Sequence, residues 1–575
     1  MTMWGKNWRD AIWERLDQPW DLVIVGGGIT GAGILREAVR HGLRALLVEQ
    51  RDFAWGTSSR SSKLVHGGLR YLATGKLRLM WQSVRERQHL LEDGPGLIDP
   101  LGFLMVTQRG DHPGRWTYAA GLSLYDLMAL QWTHRHYGAE DIRMLAPHVT
   151  DSQLEGGFQY GDAQTDDARL VLRVIREAVA DGGVALNYAA AEALIREEGA
   201  VVGVRLHDVA ADRRAEVRAR VVINATGAWA DRLRAEVGAD PRIRPLRGSH
   251  LIIPAWRLPL AQAISFLHPV DRRPVFLFPW EGATLVGTTD LDHDAPLDEE
   301  PCISPQEVAY LLAAVEHLFP SRHITLDDVV ATYAGVRPVI GSGEADPSRE
   351  SREHVVWQED GLLTVTGGKL TTFRVIALDA LRAVRDRLPA LPDLQADQPV
   401  LAAVDVVLPG AEHLPERVRR RLLGRYGADT PSLVAAARSG ELEPIPGTQT
   451  LWAELRWAAR AEGVLHLDDL LLRRVRIGLL LREGGAEHLP RIRAICQPEL
   501  GWDDARWEAE EAAYLRLWRA HYSLPPRDLI PDWHTLLLNA RAERLARPVS
   551  LRKPLAVLAA GVLVALPLVW RRARA

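Results

Sequence analysis

The pattern of apolar and polar residues near the N-terminus predicts a strand–helix–strand unit. Residues 20–28 form an apolar, β-branched run that ends in glycines, which is typical of a fully buried parallel strand. Residues 29–41 follow a helical pattern that Gly42 ends, and residues 44–49 return to the pattern of a strand. Because a helix that joins two such strands makes them parallel neighbours, the sequence predicts a βαβ unit here.

Later segments predict a second sheet and a separate helical region. Short runs bounded by Pro and Gly indicate antiparallel strands at 249–254, 275–279 and 283–288. Residues 389–399 contain three prolines and are interpreted as a linker, and residues 410–545 carry long helical patterns. Further elements are predicted as helices at 168–180 and 370–388 and as strands at 200–206, 220–225 and 361–366.

Residues 554–570 are apolar without a single charge, and basic residues flank them on both sides. As a helix they would span roughly 25 Å at ~1.5 Å per residue, the lower limit for crossing a hydrocarbon core of ~30 Å. The basic flanks suit lipid headgroups. The alternatives are a buried core helix and a helix lying in the membrane interface, and the absence of a polar stripe disfavours both. The segment is therefore interpreted as a candidate transmembrane or membrane-anchoring helix.

Composition narrows the class of protein. A chain of 575 residues is too long for one core and predicts several domains. The net charge of -4 gives no argument for nucleic acid as a partner. The two cysteines, Cys302 and Cys496, exclude a disulfide scaffold and form no metal-ligand spacing, so we expect no metal site and a reducing compartment. Residues 1–20 lack the apolar core of a signal peptide.

The sequence GGGITG at residues 26–31 lies between the first predicted strand and its helix. Gly26 permits a tight turn, Gly28 lets the backbone approach a pyrophosphate, and Gly31 allows the helix to pack closely on the strand. The anion then lies at the helix N-terminus. Glu49 ends the second strand, where its carboxylate would accept hydrogen bonds from ribose hydroxyls. This context predicts a dinucleotide site, and a glycine-rich turn without a ligand is the alternative.

Two later segments favour FAD over NAD. Residues 56–71 contain a run of hydroxyl side chains and then glycines, placed where further contacts to a diphosphate and a flavin are expected. Residues 221–229 form a strand that leads to a glycine, and this segment resembles the one by which two-domain flavoproteins approach the same cofactor again. A surface loop is the alternative for either segment alone. The cofactor-binding residues predicted here are Thr57, Ser58, Ser62, Gly67, Ala225 and Gly227.

Longer motifs extend along most of the chain in a fixed order: VGGGITGAG (25–33), TSSRSSKLVHGGLRYL (57–72), DDARLVL (166–172), NATGAWA (224–230), RGSHLIIP (247–254), FPWEGATLVGTTD (278–290), YAGVRPVIG (333–341) and GGKLTTFR (367–374). With these motifs the chain resembles the FAD-dependent (aerobic, respiratory) glycerol-3-phosphate dehydrogenases, within the D-amino-acid-oxidase-like flavoproteins. The helical C-terminal region also fits that family. The resemblance implies oxidation of sn-glycerol 3-phosphate to dihydroxyacetone phosphate by hydride transfer to flavin N5, with membrane quinone as the electron acceptor.

The chain departs from the family pattern at several points. Glu37 stands where the family usually has Asp, and His41 where it has Arg. Phe373 replaces a Tyr in the GGK motif, which removes a hydroxyl that could have met flavin or substrate. The apolar segment at 554–570 is not a regular family feature, since relatives usually bind the membrane peripherally.

The implied substrate calls for a cationic site, because a phosphate dianion is best held by the planar fork of an arginine. Arg337, in the YAGVRP motif between Gly335 and Pro338, is the first candidate. A surface ion pair is the alternative reading of any one such arginine. Further substrate contacts are predicted for Lys63, Arg70 and Tyr71.

The reaction also needs a group that takes the hydroxyl proton. His66 and His250 are the candidates, because an imidazole titrates near neutrality and needs no large pKa shift to act as a base. A structural hydrogen-bonding role is the alternative for each. Lys369 follows two glycines at a predicted helix start, where it could neutralise charge on the flavin or bind a substrate oxygen. The neighbouring residues predicted to contact the cofactor are Gly368, Leu370, Thr371 and Thr372.

The predicted fold class is α/β and α+β: a Rossmann-like FAD-binding domain, an antiparallel-sheet substrate domain, an all-α C-terminal domain and a C-terminal apolar helix. The FAD-binding domain is assigned to 15–95, 151–245 and 331–390, the substrate domain to 96–150 and 246–330, the helical domain to 400–545 and the apolar helix to 554–570.

Membrane lipid and quinone are expected partners, at the cytoplasmic face of the inner (plasma) membrane, and a homodimer is left open. The nearest rival function is an oxidase that delivers electrons to oxygen, which the membrane-like segment at 554–570 disfavours. An amine or amino-acid oxidase is disfavoured by the basic set around Arg337. The third alternative is a flavin-containing binding protein without turnover.

Overall fold

The computed structural model describes residues 4–546, apart from short gaps at 6, 70–75, 112–113, 130–132, 151–152, 342, 344–349, 351–352, 390–393 and 395–397. Arg70, Tyr71 and the apolar segment at 554–570 lie outside the described residues. No helix among the residues that are described is long and apolar enough to cross a membrane.

The strands of the described residues belong to two large sheets. They are β1 (Trp20–Val25), β2 (Ala45–Val48), β3 (Leu64–Val65), β4 (Ile98–Gln108), β5 (Arg135–Gly138), β6 (Leu154–Thr165), β7 (Val184–Leu186), β8 (Ala189–Glu197), β9 (Ala200–Asp208), β10 (Arg213–Asn224), β11 (Ile243–Pro254), β12 (Ala263–Leu267), β13 (Pro274–Trp280), β14 (Ala283–Gly287), β15 (Leu291–Asp292), β16 (Ala331–Ile340), β17 (His354–Glu359) and β18 (Leu362–Gly367).

The α-helices lie around these sheets and dominate the C-terminal part of the described chain. They are α1 (Trp8–Trp13), α2 (Ile29–Arg40), α3 (Leu77–Asp93), α4 (Arg115–Ala129), α5 (Ala139–Leu145), α6 (Asp167–Ala180), α7 (Ala230–Glu236), α8 (Pro305–Leu318), α9 (Phe373–Ala383), α10 (Glu416–Tyr426), α11 (Thr430–Ala436), α12 (Trp452–Ala461), α13 (Ile477–Leu480), α14 (Leu489–Leu500), α15 (Asp504–His521) and α16 (Trp533–Ala546).

The first sheet is Rossmann-like, with a parallel core around β1 and antiparallel pairing at β17 and in the β8–β9 hairpin. The order is β17-β18-β10-β1-β2-β7, and the β8–β9 hairpin extends it through β10. Strand β1 is parallel to both β2 and β10, with Ile24 opposite Leu47 and Ile223. All six residues of β1 are buried, as a strand covered on both faces requires. The predicted βαβ unit is thereby confirmed in β1, α2 and β2.

Helices α2, α6 and α9 cover one face of the parallel sheet and form a shared apolar core with it. Ile34 and Leu35 of α2 and Ile376 of α9 are completely or almost completely buried in this core. The apolar residues of α2 recur at helical spacing, which is why this segment folds as a helix with one buried side. The packing fixes the N-terminus of α2 directly above the carboxyl end of β1.

The second sheet has ten strands in the order β15-β11-β14-β13-β12-β4-β6-β3, with β16 beside β11 and β5 beside β6. The antiparallel pairing of β11, β13 and β14 confirms the strands that the sequence predicted at 249–254, 275–279 and 283–288. One face packs on α8, and the other faces the helical C-terminal region. The predicted mixed architecture with a helical C-terminal region is therefore observed.

Sheet membership differs from the domain ranges expected from sequence at two long strands. Strand β6 lies in a range assigned to the FAD-binding domain, yet it pairs with β4 along its length in the second sheet. Strand β16 lies within the range 331–390, which was also assigned to the FAD-binding domain, and it pairs with β11 over ten positions. Each strand pairs over most of its length in the second sheet, and this pairing decides its position.

Candidate active site

The glycine loop forms a sharp turn between β1 and α2 that tolerates no side chains at two positions. Gly26 has a φ of +116°, and a Cβ there would lie 2.5 Å from the carbonyl oxygen of Ala225. A Cβ on Gly31 would lie 1.9 Å from the carbonyl oxygen of Gly26. Because neither neighbour is a flexible side chain, only glycine fits at both positions. The loop therefore brings bare backbone to the end of the sheet.

The N-terminus of α2 presents backbone N–H groups at this edge. Its N-cap residue, Gly28, has no side chain to cap the helix, and Ser58 Oγ accepts one hydrogen bond from Ile29 N at 2.9 Å. A Cβ on Gly28 would lie 3.0 Å from the same hydroxyl. The other N–H groups of the first turn remain available to an anion, which the helix dipole also favours.

Glu49 follows β2 and turns its carboxylate back to the glycine loop. One oxygen accepts from Gly27 N at 2.7 Å and the other from Arg51 N at 2.9 Å. Burial raises the pKa of Glu49, and these two backbone hydrogen bonds counter that rise. Since each carboxylate oxygen can accept more than one hydrogen bond, Glu49 can still receive the hydroxyls of a ribose.

A cleft is lined by Glu49, by the glycine loop and by the start of the turn Leu370–Thr372. Its lining suits a dinucleotide, because it combines bare glycine backbone with the hydroxyl side chains of Thr57 and Ser58. Many of the predicted cofactor-binding residues line it: Gly26, Gly28, Glu49, Thr57, Ser58, Ala225, Gly227, Gly368, Lys369 and Leu370.

Other predicted cofactor residues hold the backbone of the site and do not line the cleft. The hydroxyls of Thr371 and Thr372 donate to the carbonyl oxygens of His66 and Lys369, at 3.2 and 3.4 Å. Gly67 N donates to Asp162 Oδ1 at 3.0 Å. These residues therefore stabilise the backbone of the site and do not face the cleft themselves.

Phe373 is also positioned behind the cleft. It is completely buried, and a Cβ on Gly33 would lie 2.8 Å from its ring. Phe373 itself is not among the residues that line the cleft.

Arg337 is held at the edge of the second sheet. Its guanidinium donates to Asp290 Oδ1 at 2.9 Å and to Thr288 Oγ1 at 2.9 Å. The side chain crosses strand β11 over Gly248, where a Cβ would lie 2.2 Å from Arg337 Nη2. About a fifth of the side chain stays exposed, at 21%. The arginine is thus oriented by the protein and still accessible to an anion.

His250 lies next to this arginine. Positions 248 and 250 are on the same face of β11, and the Arg337 side chain crosses that face over Gly248. The imidazole is completely buried and stacks on the Tyr333 ring, with centroids 4.6 Å apart. Its Nε2 shares a hydrogen bond of 2.9 Å with Ser62 Oγ. Burial, and then the cations of Arg337 and Lys63, lower the pKa of His250 well below its usual value. The imidazole is therefore neutral at physiological pH.

Lys63 does not reach the cleft as a substrate ligand would. Its ammonium is completely buried and donates to Asp167 Oδ1 at 2.9 Å and to the carbonyl oxygen of Ser59 at 3.1 Å. Burial, and next the cation of Arg476, lower the pKa of Lys63 to about 8. The lysine lies in an internal ion network, which gives no support to the contact with substrate phosphate expected from sequence.

Lys369 and His66 lie nearer to the cleft. Lys369 lines it, and its ammonium donates to Ser83 Oγ of α3. His66 is half-buried, and its carbonyl oxygen accepts the hydroxyl of Thr371. The structure thus brings His250 and Arg337 together and places Lys369 on the cleft wall.

Several residues that shape this site were not singled out from the sequence. Asp290 and Thr288 orient Arg337, and Gly248 leaves room for it. Glu307 accepts from Ser249 Oγ at 2.8 Å and from Thr289 Oγ1 at 2.6 Å, which ties β11 to the segment that holds Arg337. The GTTD sequence at 287–290 was quoted as a motif, but only the pairing of distant strands shows what it holds.

Two family models match successive parts of the chain. A model described as FAD dependent oxidoreductase matches residues 21–374. A second model, described as the C-terminal domain of alpha-glycerophosphate oxidase, matches residues 393–507. The first match covers both sheets and the cleft between them.

Curated relatives are similar over most of the chain. Glycerol-3-phosphate dehydrogenase 2 of Mycobacterium bovis is 36% identical over 541 residues, which cover 89% of this chain and 90% of that protein. The aerobic glycerol-3-phosphate dehydrogenase of Staphylococcus aureus is 34% identical over 493 residues, covering 81% of this chain and 88% of that protein.

Solved structures show the same architecture. The glycerol-3-phosphate dehydrogenase of Bacillus halodurans, complexed with FAD, superposes with a TM-score of 0.69 at 28% identity, over 90% of this chain and 98% of that one. The L-alpha-glycerophosphate oxidase of Mycoplasma pneumoniae, with FAD bound, gives a TM-score of 0.53 at 18% identity, over 68% of this chain and 100% of that one. The second likeness shows the fold alone.

Proposed function

Because the chain belongs to the FAD-dependent glycerol-3-phosphate dehydrogenases, we propose that it oxidises sn-glycerol 3-phosphate to dihydroxyacetone phosphate and passes the electrons to membrane quinone. FAD is its cofactor. The observation that carries the proposal is the neighbouring position of an oriented arginine and a neutral histidine on adjacent strands of the second sheet. This pair supplies an anion-binding group and a proton acceptor to one substrate.

Arg337 binds the substrate phosphate in this proposal. Asp290 and Thr288 each accept one hydrogen bond from the guanidinium, which fixes the plane of the fork. A further hydrogen bond from the guanidinium to the carbonyl oxygen of Thr289, at 3.3 Å, adds to this orientation, and the planar fork suits the oxygens of a phosphate. Asp290 neutralises part of the positive charge of Arg337. The phosphate is therefore bound by oriented hydrogen bonds as well as by electrostatic attraction.

His250 accepts the proton of the substrate's secondary hydroxyl. A base must be neutral to take a proton, and the lowered pKa of His250 keeps it so at physiological pH. Because the imidazole is completely buried, the proton reaches Nε2 through the hydroxyl of Ser62, which is half-buried and bonded to that nitrogen. The stacked Tyr333 ring fixes the orientation of the imidazole.

FAD would supply the hydride acceptor, its N5, so that with the proton taken up by the protein the alcohol becomes a ketone. Lys369, on the cleft wall, would stabilise negative charge on the cofactor or on the substrate oxygen. Glu49 and the N-terminus of α2 would hold the adenosine ribose and the pyrophosphate.

With membrane quinone as the proposed acceptor, we infer a location at the cytoplasmic face of the inner (plasma) membrane. The apolar segment at 554–570 supports this location, since its length and basic flanks suit a lipid bilayer. The name of the Staphylococcus aureus relative, an aerobic dehydrogenase, also favours respiratory use of the electrons.

The proposal is tested with the holoenzyme in mild detergent and without oxygen. Addition of sn-glycerol 3-phosphate should bleach the absorption bands of the oxidised flavin, while glycerol and amino acids leave them unchanged. A short-chain quinone should then restore the bands much faster than air does. Bands that stay oxidised would remove the substrate assignment, and equally rapid recovery in air would assign the electrons to oxygen.

A further inference from the structure

Arginine side chains of the helical domain (residues 400–546) enter a loop of the FAD-binding region. This loop, residues 50–63, follows β2 and leads to β3, and we refer to it as the flavin loop. Its residues Trp55, Gly56, Thr57 and Ser58 line the cleft. The helical domain contacts the flavin loop on either side of this cleft-lining stretch.

The first contact is at Asp52, a completely buried residue at the start of the flavin loop. Its carboxylate accepts from both terminal nitrogens of Arg474, at 2.6 and 2.7 Å, and from Arg473 Nε at 2.6 Å. Both arginines come from the π-helical turn Asp469–Arg474. Burial raises the pKa of Asp52, but the two guanidinium groups outweigh it and hold the pKa below its usual range. The helical domain thus neutralises most of a buried charge in the flavin loop.

The second contact lies just beyond the cleft-lining residues. Arg476 Nη2 donates to the carbonyl oxygen of Ser59 at 2.7 Å, and Tyr522 accepts from Arg60 Nη2 at 3.2 Å. Arg60 in turn donates to the carbonyl oxygen of Trp55, and so links this contact back to the cleft wall. The stretch from 55 to 58 is therefore clamped at both of its ends.

The clamped stretch also contacts the start of α2 and strand β16 directly. Ser58 Oγ accepts from the backbone N–H of Ile29 at the start of α2, and Thr57 Oγ1 donates to the carbonyl oxygen of Val336. A shift of the flavin loop would therefore move a wall of the cleft and a partner of the helix N-terminus together.

We propose that the helical domain completes the FAD site, with Arg473, Arg474 and Arg476 as positioning residues that hold the flavin loop in its cofactor-binding shape. The inference rests on FAD binding and not on the identity of the substrate or the electron acceptor. Loss of Arg474 removes two donors from the buried carboxylate of Asp52, which is strongly unfavourable. Loss of Arg476 removes one of the two donors to the carbonyl oxygen of Ser59 and leaves Lys63 as the other, so its effect should be the smaller. Movement of the flavin loop towards solvent would hydrate the underpaired acceptor. Because residues 55–58 of this loop line the cleft, the same movement would open it.

The test compares the rate of FAD release from purified holoenzymes, followed by the rise of flavin fluorescence after dilution. Arg474→Met and Arg476→Met each remove one contact with the flavin loop. Arg456→Met is the matched control, because Arg456 is buried at 2% exposure in the same domain and pairs with Glu441 and Glu499, away from the loop. Circular dichroism defines a temperature at which every variant stays folded.

We expect FAD release to be about 3- to 30-fold faster in Arg474→Met and Arg476→Met than in the wild type, and unchanged in Arg456→Met. If Arg474→Met does not fold, Arg474→Lys keeps the charge, loses the bidentate geometry and should release FAD faster in the same sense. Release at the wild-type rate from folded Arg474 and Arg476 variants would overturn the proposal, as would an equal acceleration in Arg456→Met. The outcome is independent of glycerol phosphate turnover.

Discussion

His250 is a buried imidazole with one bonded nitrogen, and its role as proton acceptor can be separated from that of His66. Replacement of His250 by Asn keeps a polar group beside Ser62 but removes the base. The rate constant of flavin bleaching by glycerol 3-phosphate should fall by about 10²- to 10⁴-fold, the usual contribution of a general base. Stopped-flow absorbance measures this rate, and the flavin content should not change. His66→Asn is the control, and a larger loss in that variant would reverse the assignment.

Lys63 gives a prediction about the pH profile. Burial, Arg337 and Lys63 all lower the pKa of His250, so the base stays deprotonated to well below pH 6.5, and activity should decline only at more acidic pH. Lys63→Met removes one of the two cations, which raises the pKa of His250 and moves the acidic limb of kcat/KM to higher pH. The shift should be less than about one pH unit, because Arg337 remains. A limb that moves to lower pH, or a change confined to the neutral plateau, would contradict this electrostatic account.

Arg337 should be sensitive even to a conservative change. Arg337→Lys keeps the charge but loses the planar fork that Asp290 and Thr288 orient, so KM for glycerol 3-phosphate should rise by about 10- to 100-fold. Steady-state kinetics with a quinone analogue provides the measurement. Arg257→Lys is the control, since Arg257 pairs with Asp328 outside the cleft. Equal changes in both variants would remove the phosphate role from Arg337.

Sequence reasoning identified residues whose role follows from local spacing and was less successful where the partner is distant in sequence. Gly26, Gly31 and Glu49 belong to one short βαβ unit, so their positions follow from the order of elements. The position of Lys63 depends on Asp167, far along the chain, and the sequence therefore did not reveal that its ammonium faces an ion network. The orientation of Arg337 by Asp290 depends in the same way on strand pairing.

At the scale of elements, the contact between β1 and α2 gives a sharp prediction. A Cβ on Gly31 would lie 1.9 Å from Gly26 O, so Gly31→Ala must push α2 away from the glycine loop. FAD affinity should fall by at least about tenfold, because the helix N-terminus then no longer meets the pyrophosphate as it does in the wild type. Flavin content after purification and equilibrium titration of the apoprotein measure the loss. Gly114→Ala, at a position with nothing within 4 Å, should bind FAD normally.

Periodicity predicted short amphipathic or buried elements well, but it does not show in which of two sheets a long strand pairs. Helix 168–180 agrees with α6 almost residue for residue, because its apolar positions recur with helical spacing. The apolar residues of β16 would suit a buried strand in either sheet. Only its pairing with β11 shows that it belongs to the second sheet. The helix predicted at 370–388 is divided into the turn Leu370–Thr372, helix α9 and a further turn at Arg385–Arg387.

For the molecule as a whole, the helical region shares its core with the second sheet. Phe278 and Tyr333 of the sheet lie in the same apolar cluster as Leu471, Trp507 and Tyr514 of the helical region. Composition and the proline-rich linker at 389–399 suggested a separate domain. Sequence patterns along one segment do not show which surface it buries against another, so this shared core, like the arginine contacts to the flavin loop, emerges only in the folded chain.

The proposed membrane location rests on residues 554–570 and can be tested by their removal. Transfer of an apolar helix into lipid is favourable at about 25 cal/mol per Å² of apolar surface, so loss of the segment should release most of the protein from sedimented membranes. A chain ending at residue 546 keeps every described element, and its flavin spectrum and its bleaching by glycerol 3-phosphate should match those of the full chain. Replacement of residues 554–570 by a polar linker of equal length controls for chain length. If the shortened chain still sediments with membranes after a high-salt wash, the attachment lies elsewhere on the molecule. Reduction of membrane quinone should fall in parallel with release, because the acceptor is itself confined to the bilayer.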